Sequence, residues 1–291
     1  MNLDRIPLGD VVERLVEWLL QNAQPVFSGI TLVIGSVARG LEAGLLVVPV
    51  WLFASALTVV AVGRVGFRFG VFTASALAVV AGLDLWTSMV STLALVLSAT
   101  LFSLLLGLPL GILGAKSDAA HRVLRPLLDL MQTMPAFVYL IPAAMFFGLG
   151  RVPGTIATII FSMPPAVRLT DLGIRQVPRE LVEAGLAFGC TGRQLLFRVQ
   201  IPNALPSIMA GVNQTIMLGL SMVVIASMIG AGGLGNEVLR GIQRMDVGLG
   251  FEGGIGVVLL AIILDRITQS LGERGRPSWK ARLRGRWGDE S

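Results

Sequence analysis

The chain has 291 residues, of which 54% are hydrophobic and 14% charged, and it carries a formal net charge of +5. Its mean hydropathy is +0.78, whereas a soluble globular domain has about 25% charged residues; the composition excludes such a domain and identifies an integral membrane protein. One cysteine, Cys190, excludes an intramolecular disulfide, and one histidine, His121, leaves no His/Cys cluster for zinc.

The first predicted element lies in LGDVVERLVEWLLQNAQPVF. Leu8, Val11, Val12, Leu15, Val16, Trp18, Leu19 and Leu20 recur at helical spacing, with Asp10, Glu13, Arg14 and Glu17 between them. This pattern predicts an amphipathic helix lying in the membrane interface and ending near Pro25. A second interfacial helix is expected over 26–42, ending at Arg39 and Glu42, so that 1–42 forms an interfacial N-terminal segment. No basic stretch leads directly into an uninterrupted apolar core, and a signal peptide is not expected.

Apolar runs of roughly 20 residues, the length that crosses about 30 Å of hydrocarbon, occur near 43–63, 67–83, 89–115, 130–149, 152–172, 206–230 and 253–272. The second is short and the fifth is interrupted by Pro164-Pro165. The expected architecture is an all-α polytopic bundle of about six or seven spans, with peripheral helices over 43–84, a core over 85–272 and an Arg-rich tail over 273–291. Prolines at 109, 135, 142, 164 and 165 predict kinks whose freed carbonyls are satisfied by neighbouring helices. Gly107-x-x-x-Gly111 and Gly250-x-x-x-Gly254 offer small faces for close helix approach.

Alternation of seven spans gathers Arg64, Arg68, Lys116, Arg122, Arg125, Arg175, Arg179, Arg193, Arg198 and the basic tail on one face. That face is cytoplasmic by the positive-inside rule, with the N-terminus outside and the C-terminus inside. A basic excess placed by topology, with no interleaved aromatics, argues against nucleic-acid binding. The tail is expected to lie on anionic lipid headgroups. His121, in KSDAAHRVLR, reads as a solvated loop residue.

The longest polar interruption is the connector RQVPRELVEAGLAFGCTGRQLLFRVQIP, from Arg175 to Pro202. Pro178 and Glu180 suit a helix start, and Gly189 suits its end near Phe188. Thr191-Gly192-Arg193-Gln194 has capping-box spacing and predicts a second helix that stops before Pro202. Leu181, Gly185 and Phe188 share a face of the first helix; Leu195, Leu196 and Val199 lie on the second. A hairpin this small is not stable alone and must dock on its own bundle or on another protein.

Glu183-Ala184-Gly185, Gly189 and Val199-Gln200-Ile201-Pro202 resemble the EAA loop of binding-protein-dependent ABC importer permeases, E-A-A-x3-G-x9-I-x-L-P, with Gly185, Val199 and Ile201 as mild departures. PLLDLMQTMPAFVYLIPA, MAGVNQTIMLGLSMVVIASMIGAGGLG and LAIILDRITQ are similar to permease subunits of glycine betaine/proline importers. The resemblance covers about 85–272 and implies a type I importer permease (MetI-like) fold with a cytoplasmic two-helix coupling loop over 175–205. It further implies an inner-membrane, non-catalytic subunit that moves glycine betaine, proline betaine, choline or proline into the cell.

Its implied partners are a second permease copy, two ATPase subunits that bind ATP and Mg, and a periplasmic or lipid-anchored substrate-binding protein, besides membrane lipids. Glu183, Ala184, Gly185, Gly189 and Pro202 are the residues that the resemblance places at the ATPase.

Polar and aromatic residues within spans are candidates for the translocation path: Gln132, Phe137, Tyr139, Asn213, Gln214 and Ser221. Helix–helix hydrogen bonding accounts equally for Asn213 and Gln214. Asp265-Arg266 reads as a locally paired interface charge. Gly230–Gly235 satisfies G-x-G-x-x-G but follows an apolar span, so a flexible outer turn is expected instead of a dinucleotide site. An ion-coupled secondary transporter or channel is the alternative; it requires an intramembrane carboxylate, and Asp84, Asp129 and Asp265 read as lying near span ends.

Overall fold

In hydrocarbon no water is available to backbone N–H and C=O groups, so apolar segments fold as helices that satisfy them internally. The computed structural model describes residues 8–272; the tail expected over 273–291 lies outside them. The helices are α1 (Leu8–Asn22), α2 (Gln24–Val47), α3 (Val50–Arg64), α4 (Phe67–Gly82), α5 (Trp86–Lys116), α6 (Asp118–Thr133) and α7 (Ala136–Phe147). They continue as α8 (Arg151–Arg175), α9 (Arg179–Ala187), α10 (Gly192–Leu195), α11 (Ile201–Ser227), α12 (Leu234–Arg244) and α13 (Val247–Gly272). Among the described residues five helices are long and apolar enough to cross a membrane, or six if α6 and α7, bent by 99°, count as one broken span.

The N-terminal third departs from the sequence expectation. Pro25 lies in the first turn of α2, where its missing N–H leaves no gap in the ladder, and α2, 24 residues long, runs on to Val47. The expected boundary at residue 42 therefore falls inside a continuous helix. The span expected over 43–63 is broken instead at Val48 (ψ 123°), because a residue before proline is driven out of the helical region, here by Pro49. α3 and α4, of 15 and 16 residues, form a hairpin about 24 Å tall at 1.5 Å per residue, which is shorter than the hydrocarbon core. The long helix α2 adds an apolar length that the alternation of seven spans did not include.

α5, α8 and α11 form the centre, α13 packs beside α11, and α7 lies against α8. The largest core cluster joins Leu77 and Val80 of α4, Met89 and Val90 of α5, Val223 of α11, Leu234 of α12, and Leu260 and Ile263 of α13. Backbones approach where side chains are absent: a Cβ on Gly111 would lie 2.6 Å from the Val167 carbonyl oxygen, and one on Gly107 would lie 3.1 Å from Ala166 Cβ. Gly211 faces the Pro165 carbonyl oxygen at 3.1 Å, and Gly173 faces Ser207 Cβ at 2.7 Å, measured in the same way. Of the two glycine pairs marked in the sequence, Gly107/Gly111 is thus a contact face, whereas Gly254 meets open space.

α8 is continuous through Pro164-Pro165, both buried, rather than broken. Just before the prolines α5 is tied to α8: Ser103 Oγ donates to the Ile159 carbonyl at 3.2 Å and pairs with Ser162 Oγ at 3.1 Å, while the carbonyls that the prolines leave without a helical donor are those of Ile160 and Phe161. The end of the bundle away from the connector is closed by polar ties. Arg151 pairs with Glu42 and donates to Ser91 Oγ at 2.7 Å, and the Leu234 N–H donates to Thr92 Oγ1 at 2.8 Å. Gly230, Gly232 and Gly233 all have positive φ, and a Cβ on Gly233 would lie 2.4 Å from Thr92 Oγ1. This glycine turn is packed against α5 and is not the flexible turn expected from composition.

Overpacking a close helix approach costs about 1–3 kcal/mol. Gly111→Ala is expected to lower the thermal unfolding temperature of the detergent-solubilised protein, whereas Gly114→Ala, whose Cβ would meet Asp171 Cγ and Leu124 Cδ1 at an ordinary 3.4 Å, leaves it nearly unchanged. Equal melting temperatures for the two variants would contradict this packing account.

Candidate functional site

The connector between α8 and α11 is built from three local devices. Pro178 precedes α9, and Glu180 lies in its first turn, favourable to the helix dipole. At the other end Gly189 takes φ +76°, its N–H donating to the Leu186 carbonyl at 2.9 Å while the Cys190 N–H donates to the Gly185 carbonyl at 3.0 Å. These two bonds are a Schellman closure, which satisfies carbonyls that the helix itself leaves free.

The second device is the capping box read from the sequence. The Gln194 N–H donates to Thr191 Oγ1 at 3.4 Å, and the Thr191 N–H donates to Gln194 Oε1 at 2.9 Å. α10 does not stop before Pro202, however. A π turn over Leu196–Gln200 links it directly to α11, and Pro202 sits in the first turn of that helix. The physical reason is the missing N–H of Pro202, which an uninterrupted α-helix would need for the carbonyl four residues earlier. The π turn lets the Ile201 N–H reach back five residues to the Leu196 carbonyl, and Asn203 Nδ2 donates to the Val199 carbonyl at 2.7 Å.

Gly185 is buried where the two short helices cross. A Cβ there would lie 2.8 Å from Leu195 Cδ1 and 3.5 Å from Val199 Cγ2. Leu195 and Leu196 are buried, and Leu196 joins Ile174, Ala204 and Ile208 in a cluster that fastens the connector to the bundle. Glu183 and Ala184 are exposed. So are Leu181, Leu186, Phe197 and above all Phe188, which is 90% exposed. Leu181 and Phe188, expected to share a face with Gly185, therefore point outward, leaving an apolar surface that none of the described residues covers.

Beside the connector lies a charge network that the sequence reading did not identify. Arg175 donates to Asp171 at 2.9 Å, to Asp118 at 2.8 Å and to the Gly114 carbonyl at 2.7 Å; His121 Nδ1 and Asp171 Oδ2 are 2.6 Å apart; Arg168 pairs with Asp129. His121 is thus a helical residue of α6 held to α8, not a solvated loop residue. The signal available in the sequence was the amphipathic spacing of Asp118, His121, Arg125 and Asp129, one face of a helix, opposite Arg168, Asp171 and Arg175 on another.

The six path candidates divide by orientation. Gln132 and Phe137 are exposed, and Gln214 and Ser221, seven residues apart on α11, share an exposed stripe with Ala210, Met217 and Met228. Tyr139 is buried, donates through its hydroxyl to the Met131 carbonyl at 2.5 Å and meets Phe161 edge-on. Asn213 turns toward α13, where its Nδ2 donates to Asp265 Oδ1 at 2.8 Å. Asp265 also accepts from Gln269 at 2.8 Å, so its partners are amides and not the neighbouring Arg266.

Comparison with known proteins follows the same outline. Residues 107–276 match the family of binding-protein-dependent transport system inner membrane components. The chain is 50% identical over 278 residues to the glycine betaine/proline betaine transport system permease protein ProW of Escherichia coli (strain K12), covering 94% of this chain and 78% of that protein. It is 49% identical to the glycine betaine/carnitine transport permease protein GbuB of Listeria monocytogenes serotype 1/2a (strain 10403S), covering 94% of this chain and 99% of that one. Among solved structures, an inward-facing conformation of the MetNI methionine ABC transporter superposes with a TM-score of 0.56 at 24% identity, over 65% of this chain and 93% of that chain; this likeness concerns the fold.

A positive φ costs a residue with a Cβ roughly 1–2 kcal/mol, and asparagine tolerates it better than a β-branched residue. Because a Cβ at Gly189 meets nothing within 4 Å, backbone strain is its only penalty. Gly189→Val is expected to speed hydrogen exchange of the Gly189 and Cys190 amides roughly tenfold, and Gly189→Asn to keep them near wild type. Equal exchange in both variants would remove the Schellman closure from this account.

Proposed function

We propose that this chain, which belongs to the family of binding-protein-dependent transport system inner membrane components, imports a quaternary-amine osmolyte such as glycine betaine. It is the permease subunit of an ABC importer, a reading supported by relatives 50% and 49% identical to it that are named transport permease proteins. The cargo class rests on those names: glycine betaine occurs in both, with proline betaine in one and carnitine in the other. Choline and proline remain within the proposed range.

The observation that carries the mechanism is the exposed apolar face of the connector, Leu181, Leu186, Phe188 and Phe197, on a hairpin locked by its own caps. A separate ATPase subunit, in two copies that bind ATP and Mg, covers this face. Glu183 and Ala184 contact it directly, Gly185 permits the tight helix crossing behind them, Gly189 sets the turn, and Pro202 sets the junction with α11. ATP-driven closure of the ATPases then moves α8 and α11 through the connector.

The exposed stripe Gln214, Met217 and Ser221 on α11 supports a second copy of the chain facing the first, with the path between them lined by Gln214, Ser221 and Phe137. Asn213 and Tyr139 act behind that lining as helix ties. Lys116, Arg122, Arg125, Arg175, Arg179, Arg193 and Arg198 gather at the connector end, which supports the reading that this end, with the close of α13, faces the cytoplasm. A periplasmic or lipid-anchored binding protein delivers cargo to the opposite end.

Proteoliposomes containing the chain, its ATPase and its binding protein should accumulate radiolabelled glycine betaine only with internal ATP. Phe188→Ala and Glu183→Lys should each reduce binding-protein-stimulated ATP hydrolysis about tenfold or more, as loss of a central interface anchor does, while membrane insertion persists. Undiminished stimulation in both variants would sink the coupling assignment, and ATP-independent uptake would sink the importer reading.

A further inference from the structure

At the end of the bundle opposite the connector, a cavity of about 540 Å³ opens between α2 and the end of α7, a size within the range of small-molecule sites. Phe27, Phe146 and Phe147 converge on it, all half-buried. Phe27 and Phe146 stack with ring centroids 4.7 Å apart, and Phe147 meets Phe27 edge-on at 5.5 Å. Arg39 lines the same cavity and also a smaller adjoining one of about 270 Å³, the two sharing Thr31 and Phe147 as well.

Arg39 is the unusual member. It is an exposed residue of α2, a helix of spanning length, three residues before the Glu42 that closes this end of the bundle. Its Nε donates to the Gly35 carbonyl at 3.1 Å, one turn back, but among the described residues no carboxylate pairs with its guanidinium. The nearby acid, Glu42, is engaged by Arg151. A cation-attracting aromatic cluster and an unpaired guanidinium thus share one cavity, and they call for opposite charges on one ligand.

We infer that this cavity binds a small zwitterion in which a quaternary ammonium lies close to an anionic group, with the ammonium against the Phe27 and Phe146 rings and the anion on Arg39. A free betaine has this chemistry, and so does a phosphatidylcholine headgroup. The free source rests on the cargo reading above; the chemistry of the cavity does not. No residue of α11 lines this cavity, and neither does Phe137, so it is distinct from the proposed path.

The test uses the full chain alone, in nanodiscs of phosphatidylglycerol and phosphatidylethanolamine, with equilibrium binding of radiolabelled glycine betaine read by scintillation proximity. Saturable binding is expected, weakened about tenfold or more by Arg39→Gln, less by Arg39→Lys, and about 2- to 30-fold by the Phe27→Leu/Phe146→Leu pair. On the unmodified protein, 3,3-dimethylbutanoate, which keeps the shape and the carboxylate but replaces nitrogen by carbon, should fail to compete.

Nanodiscs that include phosphatidylcholine separate the two sources. Unchanged betaine binding assigns the free zwitterion, and loss of binding with retention of the lipid by native mass spectrometry, dependent on Arg39, assigns the headgroup; either supports the inferred chemistry. Absence of both ligands, equal competition by 3,3-dimethylbutanoate, or indifference to the Arg39 and Phe substitutions overturns it. Neither ATPase nor binding protein is present, so this result is independent of whether ATP-driven uptake is observed.

Discussion

The structure depends on how closely α5, α8 and α11 can approach. Within a bilayer, lipid chains are as apolar as leucine, so helices gain little by hiding apolar side chains from them; contact packing and polar ties must hold the bundle instead. Glycine at 107, 111, 173 and 211 removes the side chains that would keep these three backbones apart, and the facing atoms are carbonyl oxygens or the Cβ atoms of Ala166, Thr170 and Ser207. Everything at either end of the bundle is positioned by this contact: the connector joins the ends of α8 and α11, and the glycine turn after α11 closes over α5.

The connector inherits that rigidity and adds its own. A hairpin of nine and four residues has few contacts with which to order itself, yet each of its junctions is closed by a specific backbone arrangement: Schellman closure after α9, capping box before α10, π turn into α11. The π turn has a mechanical consequence. Had α10 stopped before Pro202, a loop would separate the connector from α11; with the turn continuous, a displacement at Phe188 reaches α11 through hydrogen-bonded backbone. Exposed apolar surface and stiff attachment together suit a handle, because a flexible connector would dissipate the displacement that a partner imposes.

Legibility in the sequence followed the range of the forces involved. The caps around Gly189 and Thr191 were readable because each is set by residues within five positions of one another, and the spans of α5, α11 and α13 because twenty apolar residues admit few alternatives. Pro49 was readable in principle, since the rule on the residue before proline is local, but the apolar run across it gave the stronger signal and misplaced the break. Pro164-Pro165 misled in the other direction: α8 stays continuous through them while packed between α5 and α11, and no local rule reports that. The orientation of Leu181 and Phe188 also lay beyond the sequence. Helical spacing puts them near the face of Gly185, but only the crossing with Leu195 and Val199 decides which part of that face is covered.

The attachments of α6 are of a different kind from those of the central helices, and the difference bears on what can move. α8 and α11 meet through close-packed atoms, which cannot separate slightly without losing contact. α6 is fastened to α8 by the pairs Asp118–Arg175 and Asp129–Arg168, with Asp118 and Asp129 85% and 56% exposed, and by His121–Asp171. Exposed pairs contribute about 0–1 kcal/mol each, and salt screens them over about 8 Å. The bend of 99° between α6 and α7 then joins a strongly held helix to a weakly held one. Displacement of the bundle is therefore more easily taken up where α6 meets α8 than by any opening between α8 and α11, while the elbow itself is tied by the Tyr139 hydroxyl on the Met131 carbonyl.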